Sequence, residues 1–141
     1  MGWWSEDILG GDGPLDELYA IEDRIGIDEL YPLSAIDEIK RKRIVQAVED
    51  KTDLLIDYLS SDGDALVLAA VILSVGANLD HRIKDAAIKA VDSENPLEDN
   101  WCNPEARQRI LKEFREILVS YNGTPTQIEH TGLMEQMHKL L

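Results

Sequence analysis

The sequence predicts an all-α protein, a single compact domain of six or seven helices around a central buried helix at about 64–76. Three observations predict it. Residues 65–75, ALVLAAVILSV, are apolar at ten of eleven positions, Ser74 being the exception, and show no polar face at either the helical or the strand period. A segment apolar on all sides must be surrounded by protein or lipid, and eleven residues fall well short of the roughly 20 that cross a bilayer. Elsewhere apolar residues recur at helical spacing, and no stretch shows sustained alternation or a hairpin signal. Helix starts and stops punctuate the chain at intervals suited to short helices. The central run has the Val and Ile content of a strand, but a lone strand would have no partner, and its three Ala and three Leu favour helix.

The elements follow in order. Residues 1–13 are short, aromatic and then glycine-rich, a composition for turns. Asp12 or Gly13 caps a first helix over 14–25 with Pro14 in its first turn. Leu15, Leu18, Tyr19, Glu22 and Ile25 share its inner face, with Glu22 interrupting the stripe so that the face is only partly buried, and Gly26 ends it. An apolar linker at 30–33 leads to Ser34, a cap with Asp37 or Glu38 near the capping-box position. Ile36, Ile39, Ile44, Ala47 and Val48 then keep a rough helical period. The spacing of Ile44, Val48, Leu55 and Leu59 allows one helix over 34–60, or two with a fresh start at Thr52 or Asp53. Residues 60–64, SSDGD, break the chain and cap the buried helix, which ends at Gly76. Asn78 or Asp80 caps a helix to about 91, with Ile83, Ala86, Ala87, Ala90 and Val91 inward. After a loop over 92–103, Asn103 and Pro104 start the best-marked helix, which runs to 121 with Ile110, Leu111, Phe114, Ile117, Leu118 and Tyr121 on one face. Asn122 and Gly123 end it. Residues 124–127, TPTQ, then start a last amphipathic helix reaching 140.

Charge sets the functional expectation. The chain of 141 residues holds 28 acids against 14 bases, a net charge of -14. Such a surface repels nucleic acid and anionic membranes and favours cations or basic protein surfaces, besides conferring solubility. The distribution is uneven. Residues 1–38 carry eleven acids and one base, Arg24, whereas 39–141 carry 17 acids and 13 bases. An asymmetry of this kind points to an interaction surface. The dense basic run, residues 40–43 (KRKR), reads as a solvated helix face answering the acidic first helix. Cys102 is the single cysteine, so no disulfide can form within one chain and a reducing compartment fits. The opening lacks the basic and apolar regions of a signal peptide, and Glu6 spoils a myristoylation site. A cytoplasmic protein of a bacterium or a phage-infected cell is the expectation.

Catalytic and metal chemistry finds little support. His130 and His138 stand more than two helical turns apart, His81 is remote in sequence, and there is no HExxH or paired EXXH motif, so no metal site or cofactor is expected. Residues 62–64, DGD, resemble part of a calcium loop, but Leu73 stands where that loop needs Glu, and helix capping explains the aspartates better. Asp53 and Asp57 lie one helical turn apart, as do Asp12 and Asp16, and either pair suits a cation or acid–base work. In a chain so rich in acids such pairs arise by chance. Cys102 has no neighbouring His or base to activate it. Gly10, Gly11 and Gly13 before a helix suggest a phosphate loop, but no Lys follows and Asp12, Asp16 and Glu17 would repel the anion.

The opening, MGWWSEDILGGDGPLDEL, resembles a bacterial family known only as a domain of unknown function, whose members begin Met-Gly-x-Trp. The matching residues are Met1, Gly2, Trp4, Ile8, Asp12 and Asp16. An Ala-rich central helix and a Trp ahead of the last long helix, here Trp101, are also similar. Ser5 departs from the family's Gly. The resemblance implies a small helical domain and carries no activity.

The expected function is therefore non-enzymatic: a small acidic protein that docks on a basic surface of another protein. Its forms include an inhibitor mimicking nucleic acid, an immunity protein or antitoxin, and an anti-defence protein. The candidate partner-binding residues are Trp3, Asp12, Asp16, Glu17, Asp23, Asp28 and Glu29. Trp3 or Trp4 folds back on the core as a plug or, alternatively, stands out as an aromatic anchor of the kind favoured at binding hot spots. The alternatives are a subunit of a larger assembly or homo-oligomer, packing through Met134, Met137, Leu140 and Leu141, and a carboxylate-dependent, divalent-cation enzyme.

Overall fold

A computed structural model describes residues 12–28, 30, 36–60, 62–95 and 104–126. Every element among them is helical: α1 (Asp12–Ile25), α2 (Glu38–Asp50), α3 (Thr52–Tyr58), α4 (Asp62–Val75), α5 (His81–Ser93) and α6 (Pro104–Ser120). The all-α expectation holds with six helices. The helix expected after residue 127 lies outside the described residues.

The apolar run becomes the centre. Side chains 64–73 and Val75 of α4 are all buried. Ser74 is half-buried, and its hydroxyl donates to the Ala70 carbonyl at 2.7 Å, which satisfies the one polar side chain of the run within the helix itself. α4 packs against α5, α1 and α2, and α6 covers α5. The α4–α5 contact is the most extensive, and both helices are rich in alanine, which lets helix backbones approach closely.

A buried helix end must find partners for its last carbonyls, and α4 finds them from three parts of the chain. Gly76, at φ +80°, turns the backbone so that its own N–H and that of Ala77 both donate to Ile72 O, at 3.0 and 3.1 Å. Thr126 N–H donates to Leu73 O at 2.8 Å, and Arg41 Nη1 to Val75 O at 2.8 Å. Just beyond, the Tyr121 hydroxyl donates to Ala77 O at 2.6 Å. A Cβ at Gly76 would meet the Pro125 ring at 2.7–2.8 Å, so this turn requires glycine twice over.

The remaining elements follow local rules, with corrections. α1 begins at Asp12, two residues before the expected start, and stops at Gly26, whose φ is +73°. Its inner stripe is Leu18, Ile21, Glu22 and Ile25. Tyr19, expected on that stripe, is 57% exposed. Glu22 does not leave the face half open: it is buried, and its Oε1 accepts from the Leu30 N–H at 2.8 Å. That bond folds the chain back so that Ile27 and Leu30 enter the core. The cap of α2 is Asp37, accepting from Lys40 N–H at 2.7 Å, in place of Ser34. Ile39, one residue into α2, is 77% exposed, whereas Ile44 and Val48 are buried. Residues 38–58 form two helices with Lys51 between them; the Thr52 hydroxyl donates to Val48 O and Glu49 O, both at 3.1 Å. Asp80 caps α5, accepting from Arg82 N–H at 2.9 Å, and Ile83, Ala87, Ala90 and Val91 point inward as expected. On α6 the buried residues are Leu111, Phe114 and Leu118, joined by Arg107.

Candidate docking surface

The exposed side of α1 follows from its buried side. At 100° per residue, Asp16, Tyr19 and Asp23 fall within about 60° of arc, opposite the stripe that enters the core. All three are exposed, and backbone position 12 shares their register. Tyr19 thus stands between two carboxylates spaced about 10 Å apart along the helix axis. Asp28, just past the helix, is also exposed. Trp3 and Glu29 lie outside the described residues, as does the side chain of Asp12.

Asp16, Tyr19, Asp23 and Asp28 make no hydrogen bond or ion pair among the described residues. The single base of α1, Arg24, is turned away from them: its Nη1 donates to Ala20 O at 3.0 Å, and its guanidinium lies 4.4 Å from the centroid of the Tyr58 ring. Several acids elsewhere are matched by arginines. Arg82 holds Asp80 and Asp53 at 3.0 and 3.1 Å, Arg115 holds Asp92 at 2.9 Å, Arg107 holds Glu94 at 2.6 Å, and Arg41 binds Glu38. The hydrogen bond from Arg82 keeps the Asp80 carboxyl below its usual range. The basic run at 40–43 is a solvated face only in part. Lys42 and Arg43 are exposed, while Arg41 serves Glu38 and the end of α4.

Glu17 is placed differently from the other acids of α1. It is half-buried toward α3 and α4, and its Oε2 accepts from the Tyr58 hydroxyl. Its carboxyl is pushed up to about 7, chiefly by burial, then by the hydrogen bond and charge of Asp64, with Asp16 adding and Arg24 opposing. Asp64 is buried and accepts from Ser60 N–H at 3.0 Å and Ser60 Oγ at 2.8 Å, which ties the residue before the break to the first turn of α4.

Other chemistry is sparse. Asp53 and Asp57 do share the exposed side of α3, but Asp53 is engaged by Arg82. Among the described residues no three His, Cys, Asp or Glu side chains converge as metal ligands. A cleft of about 180 Å³ is lined by Asn78, Leu79, Lys84, Tyr121, Asn122 and Gly123. That is smaller than the roughly 300–1,000 Å³ usual for small-molecule sites. No helix among the described residues is long and apolar enough to cross a membrane. No protein-family model, curated protein or solved structure matches the chain.

Sequence reasoning found the acidity of α1 but not the exposure of Tyr19. The helical wheel carries that signal: Tyr19 sits about 100° from Leu18, in the same arc as Asp16 and Asp23.

Proposed function

We propose that the protein is a small, acidic, non-enzymatic binding protein that lays the outer face of α1 against a basic protein surface, as an inhibitor, immunity or anti-defence protein in the cytoplasm of a bacterium or phage-infected cell. The observation that carries this reading is Tyr19, 57% exposed between Asp16 and Asp23, with no base among the described residues pairing either carboxylate. An exposed aromatic ring flanked by carboxylates suits arginine-rich surfaces: the ring face attracts a guanidinium and the carboxylates bond it. Exposed acids also occur on α5 and α6, including Asp85, Glu113 and Glu116. On α1 they frame an aromatic anchor of the kind enriched at hot spots. The net charge of -14 supports fast, salt-sensitive association with a basic partner and opposes binding to nucleic acid itself.

A pull-down tests the reading, with wild type and the Asp16→Asn, Tyr19→Ala, Asp23→Asn triple variant as baits at about 50 and 500 mM salt. Wild type should retain proteins more basic than the background at low salt and lose them at high salt, where the Debye length is a few ångströms. The triple variant should lose them at both. Retention that ignores salt, or that the triple variant preserves, rules against docking through α1.

A second reading, a subunit of a larger assembly, draws on Ile39 of α2 and Val119 of α6, which are 77% and 54% exposed. The segment expected to pack on a neighbour, with Met134, Met137, Leu140 and Leu141, lies outside the described residues.

A further inference from the structure

The turn after α6 carries the one Asn-Gly pair of the chain. Of the asparagines Asn78, Asn95, Asn100, Asn103 and Asn122, only Asn122 is followed by glycine. Asn95 and Asn103 precede proline, which has no N–H, and Asn78 and Asn100 precede the bulky Leu79 and Trp101. Asn122 and Gly123 are both exposed. They sit in a short strap, residues 121–126, that is held at each end. The Tyr121 hydroxyl donates to Ala77 O at 2.6 Å, and the Thr126 N–H donates to Leu73 O at 2.8 Å. Between these anchors the Asn122 side chain folds forward along the backbone, and its Oδ1 accepts from the Thr124 N–H at 3.1 Å. That bond carries the side-chain amide across the intervening peptide, whose nitrogen belongs to Gly123. The Gly123 N–H makes no hydrogen bond among the described residues. A Cβ at Gly123 would meet nothing within 4 Å, so the surroundings of this nitrogen are open.

We propose that Asn122 is a site of spontaneous deamidation, with water as the co-reactant, and that the strap presents it for the reaction. Hydroxide takes the proton from the Gly123 N–H, and the electron pair left on nitrogen forms a bond to Asn122 Cγ. Negative charge develops on Oδ1, where the Thr124 N–H is already aimed; a donor placed in advance at a developing oxyanion lowers the barrier to its formation. The bond from Cγ to Nδ2 then breaks, and ammonia leaves with a proton taken from water, which restores the hydroxide. A cyclic imide remains. Water opens it at either carbonyl, giving an aspartyl or an isoaspartyl residue, and nothing is oxidised or reduced. Glycine serves at 123 because it has no Cβ to crowd the attacking nitrogen.

The change alters two features of the fold. Either product adds a carboxylate to a chain of net charge -14. That carboxylate enters the cleft that Asn122 shares with half-buried Lys84, the base among its lining residues. The isoaspartyl product also lengthens the main chain by a methylene between Tyr121 and Thr126, the anchors that close the end of α4. The bond from Thr126 to Leu73 O is the one it weakens. α1 takes no part, so deamidation stands or falls separately from the docking proposal.

Ageing the full chain in buffers of rising pH, followed by peptide mapping with mass spectrometry, tests it. Asn122 should exchange its NH2 for OH before any other asparagine, at a rate that rises with pH. It should do so at least as fast as in a synthetic peptide of residues 119–126, where the strap is not held. Asn122→Gln, a change at an exposed position, should leave that position unmodified over the same period. In the purified isoaspartyl form, hydrogen exchange should show loss of protection at the Thr126 amide while the amides of α5 keep theirs. A slower change in the folded chain than in the peptide, an earlier change at another asparagine, or a rate indifferent to pH overturns the proposal. Undiminished protection of Thr126 in the isoaspartyl form overturns its effect on the end of α4.

Discussion

Replacing Glu94 with alanine is expected to lower the unfolding free energy by about 3 kcal/mol, or about 10 °C in Tm for a chain of this length. Arg107, in the first turn of α6, is 1% exposed, and its Nε and Nη2 donate to the two oxygens of Glu94 at 2.6 and 2.8 Å. Glu94 is the C-cap of α5. The fork therefore joins the end of one helix to the start of the next across the connection at 95–103. Removing the carboxylate takes this counter-charge from a guanidinium in the core, and removing one member of a buried pair costs far more than the intact pair contributes. Arg107→Met combined with Glu94→Leu should recover most of the loss, because neither charge then has to be buried. Chemical denaturation of the three proteins checks this. A loss under 1 kcal/mol for Glu94→Ala, or a double variant no better than the single, contradicts the assignment.

Leu68→Ala should cost about 3–4 kcal/mol. Leu68 lies in the middle of α4, is fully buried, and has α1, α2 and α5 packed around its helix. Helices held on several sides relax poorly into a cavity, so both the transfer and the cavity contributions are felt. Ile39→Ala, removing a side chain of similar size from α2, should change stability by no more than about 0.5 kcal/mol because Ile39 is exposed. Comparable losses for the two variants would show that α4 is not the organising element.

What the sequence reveals of this fold is the part fixed by local chemistry. A run with no polar residue but Ser74 has to be buried, and α4 is. Gly26, Gly76 and Asp80 mark helix ends through backbone and capping rules that act within a few residues. The missed features depend on partners far along the chain or on a choice between equal local signals. Ser34 and Asp37 are both good caps, and only the structure selects Asp37. Arg107 reads as a surface residue until Glu94, thirteen positions away, is brought against it. Ile39 fits the apolar period of α2, yet its side chain is exposed.

The candidate site divides the same way. Its acids are countable from the sequence, and Asp16, Asp23 and Asp28 are exposed as surface charges. Which acids are already matched is a matter of tertiary structure. Arg41, Arg82 and Arg115 engage Glu38, Asp80, Asp53 and Asp92, while Arg24 turns toward Tyr58. Glu17, one residue from Asp16, is turned about 100° around the helix and so meets the Tyr58 hydroxyl instead of solvent.

The most direct measurement is an NMR titration of the uniformly labelled protein with an arginine-rich helical peptide at low salt, read residue by residue. Docking through α1 predicts that the largest shifts fall on Asp16, Tyr19, Ala20 and Asp23, and that Tyr19→Ala weakens binding about tenfold, a hot-spot-sized effect. Shifts spread over Asp85, Glu105, Glu113 and Glu116 as strongly as over α1, with Tyr19→Ala binding like wild type, would contradict the account.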